Sequence, residues 1–146
     1  MPEFTIRASC RSPAEEVWKL LYDPSRFAEW WWGTEHVADV TGDTATRYVA
    51  GWPDFPYPTR VTTRGDGTRV MISCLVSDIV QEWTLEPDTG GCVVRLRVEV
   101  PETEAARLAT VRDELARSVP RLVAAAERAE RPARRPAAGD AGRSGA

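Results

Sequence analysis

The feature that most constrains the fold is a long apolar stripe near the C-terminus. Between Glu102 and Glu130, apolar side chains recur every three or four residues, which predicts one amphipathic helix. The stripe is formed by Leu108, Val111, Leu115, Val119, Leu122 and Ala126. At about 1.5 Å per residue, such a helix is on the order of 40 Å long. A short neighbouring helix cannot cover an apolar face of that length, so we expect a sheet to cover it.

The segments before this helix are short, rich in Val, Thr, Ile and Trp, and separated by turn residues. The first of them, Phe4–Cys10, alternates apolar and polar residues as a half-buried strand does. Three hairpins follow, with predicted strands at 35–41 and 44–51, 59–64 and 68–76, and 79–86 and 92–100. Because no helical period separates these six strands, we expect one antiparallel seven-stranded sheet that curls around the helix.

Two short helices are predicted between the first and second strands. Residues 12–15 have the sequence Ser-Pro-Ala-Glu, which predicts a helix start with Ser12 as the N-cap and Glu15 completing a capping box. Asp23 and Pro24 end this helix, and Ser25–Trp31 is predicted to form the second one. The fold class expected from this order is α+β.

Three consecutive tryptophans, Trp30, Trp31 and Trp32, follow the second short helix. Three adjacent indoles cannot all face one core. One interpretation places them in the core and over one end of the sheet. The other interpretation is that one of the indoles lines a ligand cavity.

The segment Trp52–Pro58 contains three prolines and three aromatic residues. Proline lacks the backbone N–H that a central strand or a helix interior needs, so we predict a loop here. This loop either shapes the rim of a pocket or merely connects two strands.

Several function classes are disfavoured by composition. The net charge of −3 gives no footprint for nucleic acid. The chain begins without a signal-peptide pattern and lacks an apolar run of the ~18–20 residues that span a bilayer, so a cytoplasmic location is expected. Cys10, Cys74 and Cys92 are widely spaced in predicted strands and are expected to be buried free thiols. No metal site and no cofactor is predicted. We expect one domain over residues 1–131, followed by a disordered tail at 132–146.

A family resemblance rests on four segments of this sequence. They are Phe-Thr-Ile-Arg-Ala-Ser at 4–9, Ser-Pro-Ala-Glu-Glu-Val-Trp-Lys-Leu-Leu-Tyr-Asp-Pro-Ser-Arg-Phe-Ala-Glu-Trp at 12–30, Glu-Trp-Thr-Leu-Glu-Pro-Asp at 82–88 and Cys-Val-Val-Arg-Leu-Arg-Val-Glu-Val at 92–100. Over residues 3–130 the chain resembles the START-like, or SRPBCC, superfamily, which includes birch-pollen-allergen-like proteins. The resemblance implies a helix-grip fold with a cavity under the C-terminal helix.

The superfamily includes polyketide cyclases and dehydratases, lipid and hormone carriers, dioxygenase subunits and chaperone co-factors. The chain is most similar to a small bacterial group described as polyketide cyclase/dehydrase-like. Fold alone does not define the function within such a superfamily.

Catalytic machinery is sparse in the sequence. His36 is the single histidine, so an iron site with two histidines and a carboxylate is excluded, and no nucleophile sits in an elbow context for a triad. What remains is metal-free acid–base catalysis, with a donor near a carbonyl and a base for an acidic carbon. Candidates are Arg47, Tyr48, Tyr57, Arg60, His36 and Asp54, with Arg60, Tyr57 and His36 preferred.

Each candidate also has a structural interpretation. Arg47 and Arg60 are expected on the outer, solvated face of the sheet if they have no role, and His36 on a strand surface. Strand alternation places Tyr48 and Trp52 on one face and Arg47 on the other. Alternation also directs Gln81 to the side of Trp83.

The resemblance and the aromatic content together suggest that an apolar, polyketide- or lipid-like small molecule binds between sheet and helix, with or without cyclase or dehydratase turnover. The residues predicted to bind it are Trp30, Trp31, Tyr48, Trp52, Tyr57, Met71, Ser73, Gln81, Trp83, Leu108, Val111 and Leu115. The alternative is a protein-interaction module that uses the tryptophan cluster and has no ligand. The chain is expected to be a monomer or a homodimer.

Overall fold

The structure is a computed structural model that describes residues 2–65 and 67–138, except for the side chains of residues 52, 53 and 130–138. Seven strands and three α-helices follow one another along the chain. They are β1 (Glu3–Cys10), α1 (Ala14–Tyr22), α2 (Phe27–Trp30), β2 (Thr34–Thr41), β3 (Thr44–Val49), β4 (Trp52–Arg64), β5 (Arg69–Cys74), β6 (Val80–Asp88), β7 (Gly91–Glu99) and α3 (Leu108–Ala138). Short 3₁₀ turns at Pro24–Arg26 and Glu102–Arg107 precede α2 and α3.

All seven strands belong to one curved antiparallel sheet with the order β1-β7-β6-β5-β4-β3-β2. Sequential strands from β2 to β7 pair as neighbours, and β1 joins the sheet beside β7. The predicted α+β helix-grip class is therefore confirmed. Within the described ranges, none of the helices combines the length and the apolar run that crossing a bilayer requires.

The apolar stripe of α3 packs into a single core with the inner face of the sheet. Leu115, Leu122 and Ala126 are at most 1% exposed, and α3 contacts β1, α1 and α2. Burial of each such leucine contributes about 1.5–3 kcal/mol, so the stripe is what holds the helix against the sheet.

The ends of α3 differ from the predicted ones. Its first turn is preceded by the 3₁₀ segment Glu102–Arg107, which has no buried residue and thus no apolar anchor before Leu108. The helix continues to Ala138, past the predicted domain boundary at residue 131. The remainder of the predicted tail, 139–146, lies outside the described residues.

The predicted loop at Trp52–Pro58 is wrong, because these residues form the first half of β4. Pro56 and Pro58 pair with β3, and the carbonyl of Pro58 accepts from the Leu75 N–H at 2.8 Å. The N–H and C=O groups of a strand residue point to the same side, so the missing N–H groups of both prolines face the β5 side. Pairing with β5 begins only at Thr59. On this side the segment is an edge, where proline is tolerated.

The N-cap predicted for α1 is also wrong. Pro13 occupies the cap position, and no side chain caps the helix. The Ser12 hydroxyl instead donates to the carbonyl of Ala126 at 3.2 Å, while the Arg11 backbone N–H donates to the Glu127 carboxylate at 2.9 Å. The connection between β1 and α1 is thereby fastened to α3.

The three cysteines are free thiols in two different environments. Cys10 and Cys92 are buried register partners on β1 and β7, whereas Cys74 at the end of β5 is half-buried. Burial, assisted by Cys10, raises the pKa of the Cys92 thiol to about 12. A neutral thiol is a poor nucleophile, so Cys92 is chemically protected.

We therefore expect a disulfide-exchange reagent at pH 8 to modify Cys74 first and Cys92 only on unfolding. Cys74→Ser should remove the fast phase of labelling. Equal native labelling of Cys74 and Cys92 would contradict this expectation.

The raised pKa of Cys92 also makes stability depend on pH. The pKa of an unfolded thiol is about 8.5, so the stability contributed by neutral Cys92 is complete below that pH and declines as pH rises toward 12. Denaturant titrations at successive pH values measure the decline.

Candidate functional site

A cleft lies between the inner face of strands β3, β4 and β5, the connection from β5 to β6, and the start of α3. Its enclosed volume is about 50 Å³, which is room for one or two water molecules or for one small polar head group. The lining residues are Trp31, Arg47, Tyr57, Thr59, Cys74, Ser77, Ile79, Arg107, Val111 and Glu114.

Arg47 is the central polar residue of this cleft. On β3 it is directly opposite Tyr57 of β4 and Val37 of β2, with its side chain toward the interior. Only 8% of the residue is exposed. Its guanidinium carbon lies 3.8 Å from the centroid of the Trp31 ring and 5.8 Å from that of Tyr57. Stacking on an indole suits a buried guanidinium, which is planar and weakly hydrated.

A carboxylate from the helix balances this charge. The Nη2 of Arg47 lies 3.6 Å from Oε2 of Glu114, and the Nη1 of Arg47 donates to the Thr34 hydroxyl at 3.0 Å. The same Glu114 oxygen accepts from the Trp31 indole N–H at 2.5 Å. Burial lowers the pKa of Arg47, and Glu114 opposes that effect. A guanidinium is not deprotonated in proteins, so Arg47 is a cation.

The walls of the cleft combine apolar and polar groups. Val111, Ile79 and the Trp31 indole supply the apolar surface. The Thr59 hydroxyl donates to the Tyr57 carbonyl at 2.9 Å, and within the described residues the Tyr57 hydroxyl has no hydrogen-bond partner. The cleft therefore offers a buried cation and a phenol next to apolar walls, an arrangement that suits a carbonyl oxygen on an apolar body.

Three of the predicted binding residues, Trp31, Tyr57 and Val111, come together at this cleft. Four others lie in the core. Trp30 and Trp83 are fully buried, with their indole N–H groups donating to the Leu20 carbonyl and to the Gln81 side chain, both at 2.9 Å. Leu115 is packed in the same core. The amide of Gln81 thus has an internal partner and needs no ligand.

Five predicted residues lie on the opposite, outer face of the sheet. For Tyr48, Met71 and Ser73 this corrects the expectation that they bind the ligand in the interior. For Arg60 and His36 it is the surface position expected of them if they have no role. Arg60 lies between the inward Thr59 and Val61 and pairs with Asp43 at 3.5 Å. The others in this position are Met71 and Ser73, which alternate with the buried Val70 and Ile72, and His36 and Tyr48, which stack on each other with centroids 4.6 Å apart.

Leu108 and Asp54 are not among the described residues that line the cleft. Leu108 is half-buried and packs against the core, and Asp54 is exposed on β4. The side chain of Trp52 is outside the described part of the structure. Within that part, no group of three His, Cys, Asp or Glu side chains is placed to hold a metal ion.

Sequence reasoning missed Glu114, and it left open whether Arg47 faces the interior or the solvent. Alternation in β3 pairs Arg47 with the buried Ala45, which was a weak signal for the inner face. Glu114 follows Val111 by three residues and so flanks the apolar stripe of α3. Neither signal alone identifies a buried ion pair.

A curved sheet that packs around one long helix defines a helix-grip domain. Here the cleft between them contains the buried cation Arg47. Sequence comparison identifies the family of this domain. The model for the family described as polyketide cyclase / dehydrase and lipid transport matches residues 11–125. The chain therefore belongs to this family, and the resemblance stated above is confirmed. Among proteins with curated functional descriptions, none matches the chain.

Solved structures share the fold at low sequence identity. A protein from Nitrosomonas europaea is 12% identical with a TM-score of 0.67, over 86% of this chain and 94% of the other. An AHSA1-like protein from Aeromonas hydrophila is 18% identical with a TM-score of 0.61, over 88% and 94%. DynU16, a putative protein in the dynemicin biosynthetic locus, is 21% identical with a TM-score of 0.62, over 86% of this chain and 47% of its own.

Proposed function

We propose that the chain binds a small molecule with an apolar, polyketide- or lipid-like body and a neutral carbonyl head, which lies against Arg47. The buried guanidinium of Arg47, in a cleft whose walls include the apolar side chains of Ile79 and Val111, is the observation that carries this proposal. The family description, which names polyketide cyclases and lipid transport, supports this ligand class. Binding at this position uses Trp31, Tyr57 and Val111 as the surrounding walls.

The size of the cleft limits how the ligand is held. The cleft volume of about 50 Å³ accepts a carbonyl group and its neighbouring carbons. The apolar body then lies toward the mouth of the cleft, beside the 3₁₀ segment Glu102–Arg107. That segment has no buried residue, so its displacement exposes little core surface.

Charge favours a neutral head over an anionic one. Arg47 already faces Glu114, and Arg107 just before α3 already faces Glu104 at 3.2 Å, so both cations that line the cleft have a carboxylate partner. A carboxylate ligand next to Arg47 also lies close to Glu114, whose negative charge repels it. A ketone or enone oxygen accepts a hydrogen bond from Arg47 without this repulsion.

Turnover is a second candidate function, favoured by the same pair. Enolisation needs a cation for the developing oxyanion and a base for the α-proton. Arg47 supplies the first, and the Glu114 carboxylate, 3.6 Å away, supplies the second. The enolate carbon then bonds to a second carbonyl carbon of the same molecule, and the resulting alkoxide takes back the proton held by Glu114. This is an aldol-type cyclisation, and the family description names polyketide cyclases.

The test is ligand binding by calorimetry with 2-decanone, decanoate and decane. We expect 2-decanone to bind more tightly than the other two. Charge-assisted hydrogen bonds contribute about 1.5–3 kcal/mol, so the double variant Arg47→Met/Glu114→Gln should lose about tenfold or more in affinity for 2-decanone. The double variant avoids leaving Glu114 as an unpaired charge in the cleft.

Arg60→Met is the matched control, because it removes an arginine from the outer face of the same sheet. Its affinity for 2-decanone should equal that of the unchanged protein. Thermal unfolding of each variant checks that the fold is intact. Failure of all three compounds to bind, or equal binding of 2-decanone by the folded double variant, rejects the proposal.

A further inference from the structure

We propose that Cys74 is a covalent attachment site for ligands whose carbonyl is conjugated to a carbon–carbon double bond, the class called enones. This inference rests on the function proposed above, because it uses the same cleft and the same position of the carbonyl beside Arg47. It adds a bond between ligand and protein. Cys74 and Arg47 both line the cleft.

Strand register places Cys74 on the inner face of the sheet, one row away from Arg47. On β5 it follows the buried Ile72 by two residues, so the two side chains share a face. Cys74 pairs with Thr59 of β4. Arg47 of β3 pairs with Tyr57, two residues earlier on β4. The thiol and the guanidinium therefore approach the cleft from either side of β4.

Arg47 brings unused hydrogen-bond donors to this cleft. Its Nη1 donates to the Thr34 hydroxyl, but its Nη2 lies 3.6 Å from Glu114, which is too far for a hydrogen bond. Its Nε has no acceptor among the described residues. Within those residues, Trp18 alone has a fully buried side-chain nitrogen or oxygen without a partner. Nε and Nη2 of Arg47 therefore keep accessible surface, although the side chain is only 10% exposed.

Cys74 is held in place beside these donors. It is a half-buried free thiol, its backbone N–H donates to the Ile79 carbonyl, and its carbonyl accepts from the Asp78 N–H, both at 2.9 Å. Burial lowers the pKa of Arg47, and Glu114 and a Cys74 thiolate oppose that effect. The sulfur and the guanidinium thus interact across the cleft.

The reaction is a conjugate addition. The thiolate of Cys74, which is the nucleophilic form of a thiol, forms a bond to the β-carbon of the enone. The π bond between the α- and β-carbons breaks, and electrons shift onto the carbonyl oxygen, where Arg47 stabilises the enolate. The proton that the thiol gave to water is replaced by one from water at the α-carbon. The product is a thioether, and nothing is oxidised or reduced.

The experiment follows the addition of 3-decen-2-one to the full-length protein by intact-protein mass spectrometry, with N-acetylcysteine as the reference thiol. We expect one enone per chain, added at least about tenfold faster than to the reference thiol, because the oxyanion donor is already in place. Peptide mapping should locate the adduct on Cys74, and Cys74→Ser should form none. An excess of 2-decanone should slow the addition by occupying the same cleft.

Two variants separate the effect of Arg47 from mere access to the thiol. The double variant Arg47→Met/Glu114→Gln should add the enone at least about tenfold more slowly. Its Cys74 should still react with methyl methanethiosulfonate, which has no carbonyl, so the ratio of the two rates falls. Arg60→Met, on the outer face of the sheet, should leave both rates unchanged.

Three outcomes overturn the proposal: the adduct forms away from Cys74, the rate equals that of N-acetylcysteine, or the folded double variant keeps the enone rate. If 2-decanone binds through Arg47 and the enone does not add to Cys74, the covalent site is rejected and the proposed function stands. If 2-decanone neither binds nor slows the addition, both are rejected.

Discussion

Replacement of Trp30 by alanine is expected to lower the free energy of unfolding by about 3–5 kcal/mol. Trp30 is fully buried, stacks on Trp31 with centroids 5.6 Å apart, and meets the Trp83 and Phe27 rings edge-on at 5.4 and 5.7 Å. The substitution removes these contacts and leaves the Leu20 carbonyl without its indole partner. Urea denaturation followed by far-ultraviolet circular dichroism measures the loss.

The neighbouring Trp32 provides the matched control. It is 43% exposed, and its side-chain contacts include Arg117 and Arg121, whose guanidinium carbons lie 5.2 and 5.6 Å from its ring centroid. Each exposed cation–π contact contributes about 0.5–1 kcal/mol, so Trp32→Ala, which removes two, should cost no more than about 1–2 kcal/mol. Equal losses for the two variants would mean that Trp30 is not a core residue.

The second large effect is expected from Glu114→Ala, which leaves Arg47 as a buried cation without its carboxylate. Breaking a fully buried pair costs about 3–5 kcal/mol. Glu114 is 28% exposed, so water partly compensates and we expect about 2–3 kcal/mol. The variant also deprives the Trp31 indole N–H of its acceptor.

Asp113→Ala is the control for this prediction, since Asp113 lies one residue earlier on the same helix. It pairs with Arg117 at 3.1 Å, and the two side chains are 67% and 54% exposed. Exposed pairs contribute about 0–1 kcal/mol. A loss for Glu114→Ala no larger than that of Asp113→Ala would show that Arg47 is adequately hydrated without its partner. The same urea titrations supply both values.

Elements with a strong local period were predictable from sequence. The stripe from Val111 to Ala126 identified α3 because helical spacing repeats over several turns. The hairpin turns at Gly42-Asp43 and Pro87–Gly91 placed most strands within a few residues of their observed ends. These signals are local. Each of them identifies one helix or strand and does not tell which distant element packs against it.

The elements that sequence reasoning missed depend on partners far away in the chain. Trp52–Pro58 looks unsuited to a central strand because it contains three prolines. These prolines are tolerated because β4 pairs with β5 only from Thr59 onward, which leaves the earlier residues as an edge on that side. Arg47 looks like a surface residue until Glu114 of α3 is placed beside it. A charge is buried when its counter-charge is present, and no pattern within β3 contains that information.

The position of β1 beside β7 has a consequence for how this domain folds. β1 is synthesised first, yet its neighbour in the sheet, β7, is the last strand of the chain, and Cys10 meets Cys92 across that seam. The hairpins from β2 to β7 need only short loop closures, whereas this pairing closes most of the chain. Such high contact order slows folding. β1 therefore has no strand partner in the sheet until the chain has been synthesised as far as Glu99, the end of β7.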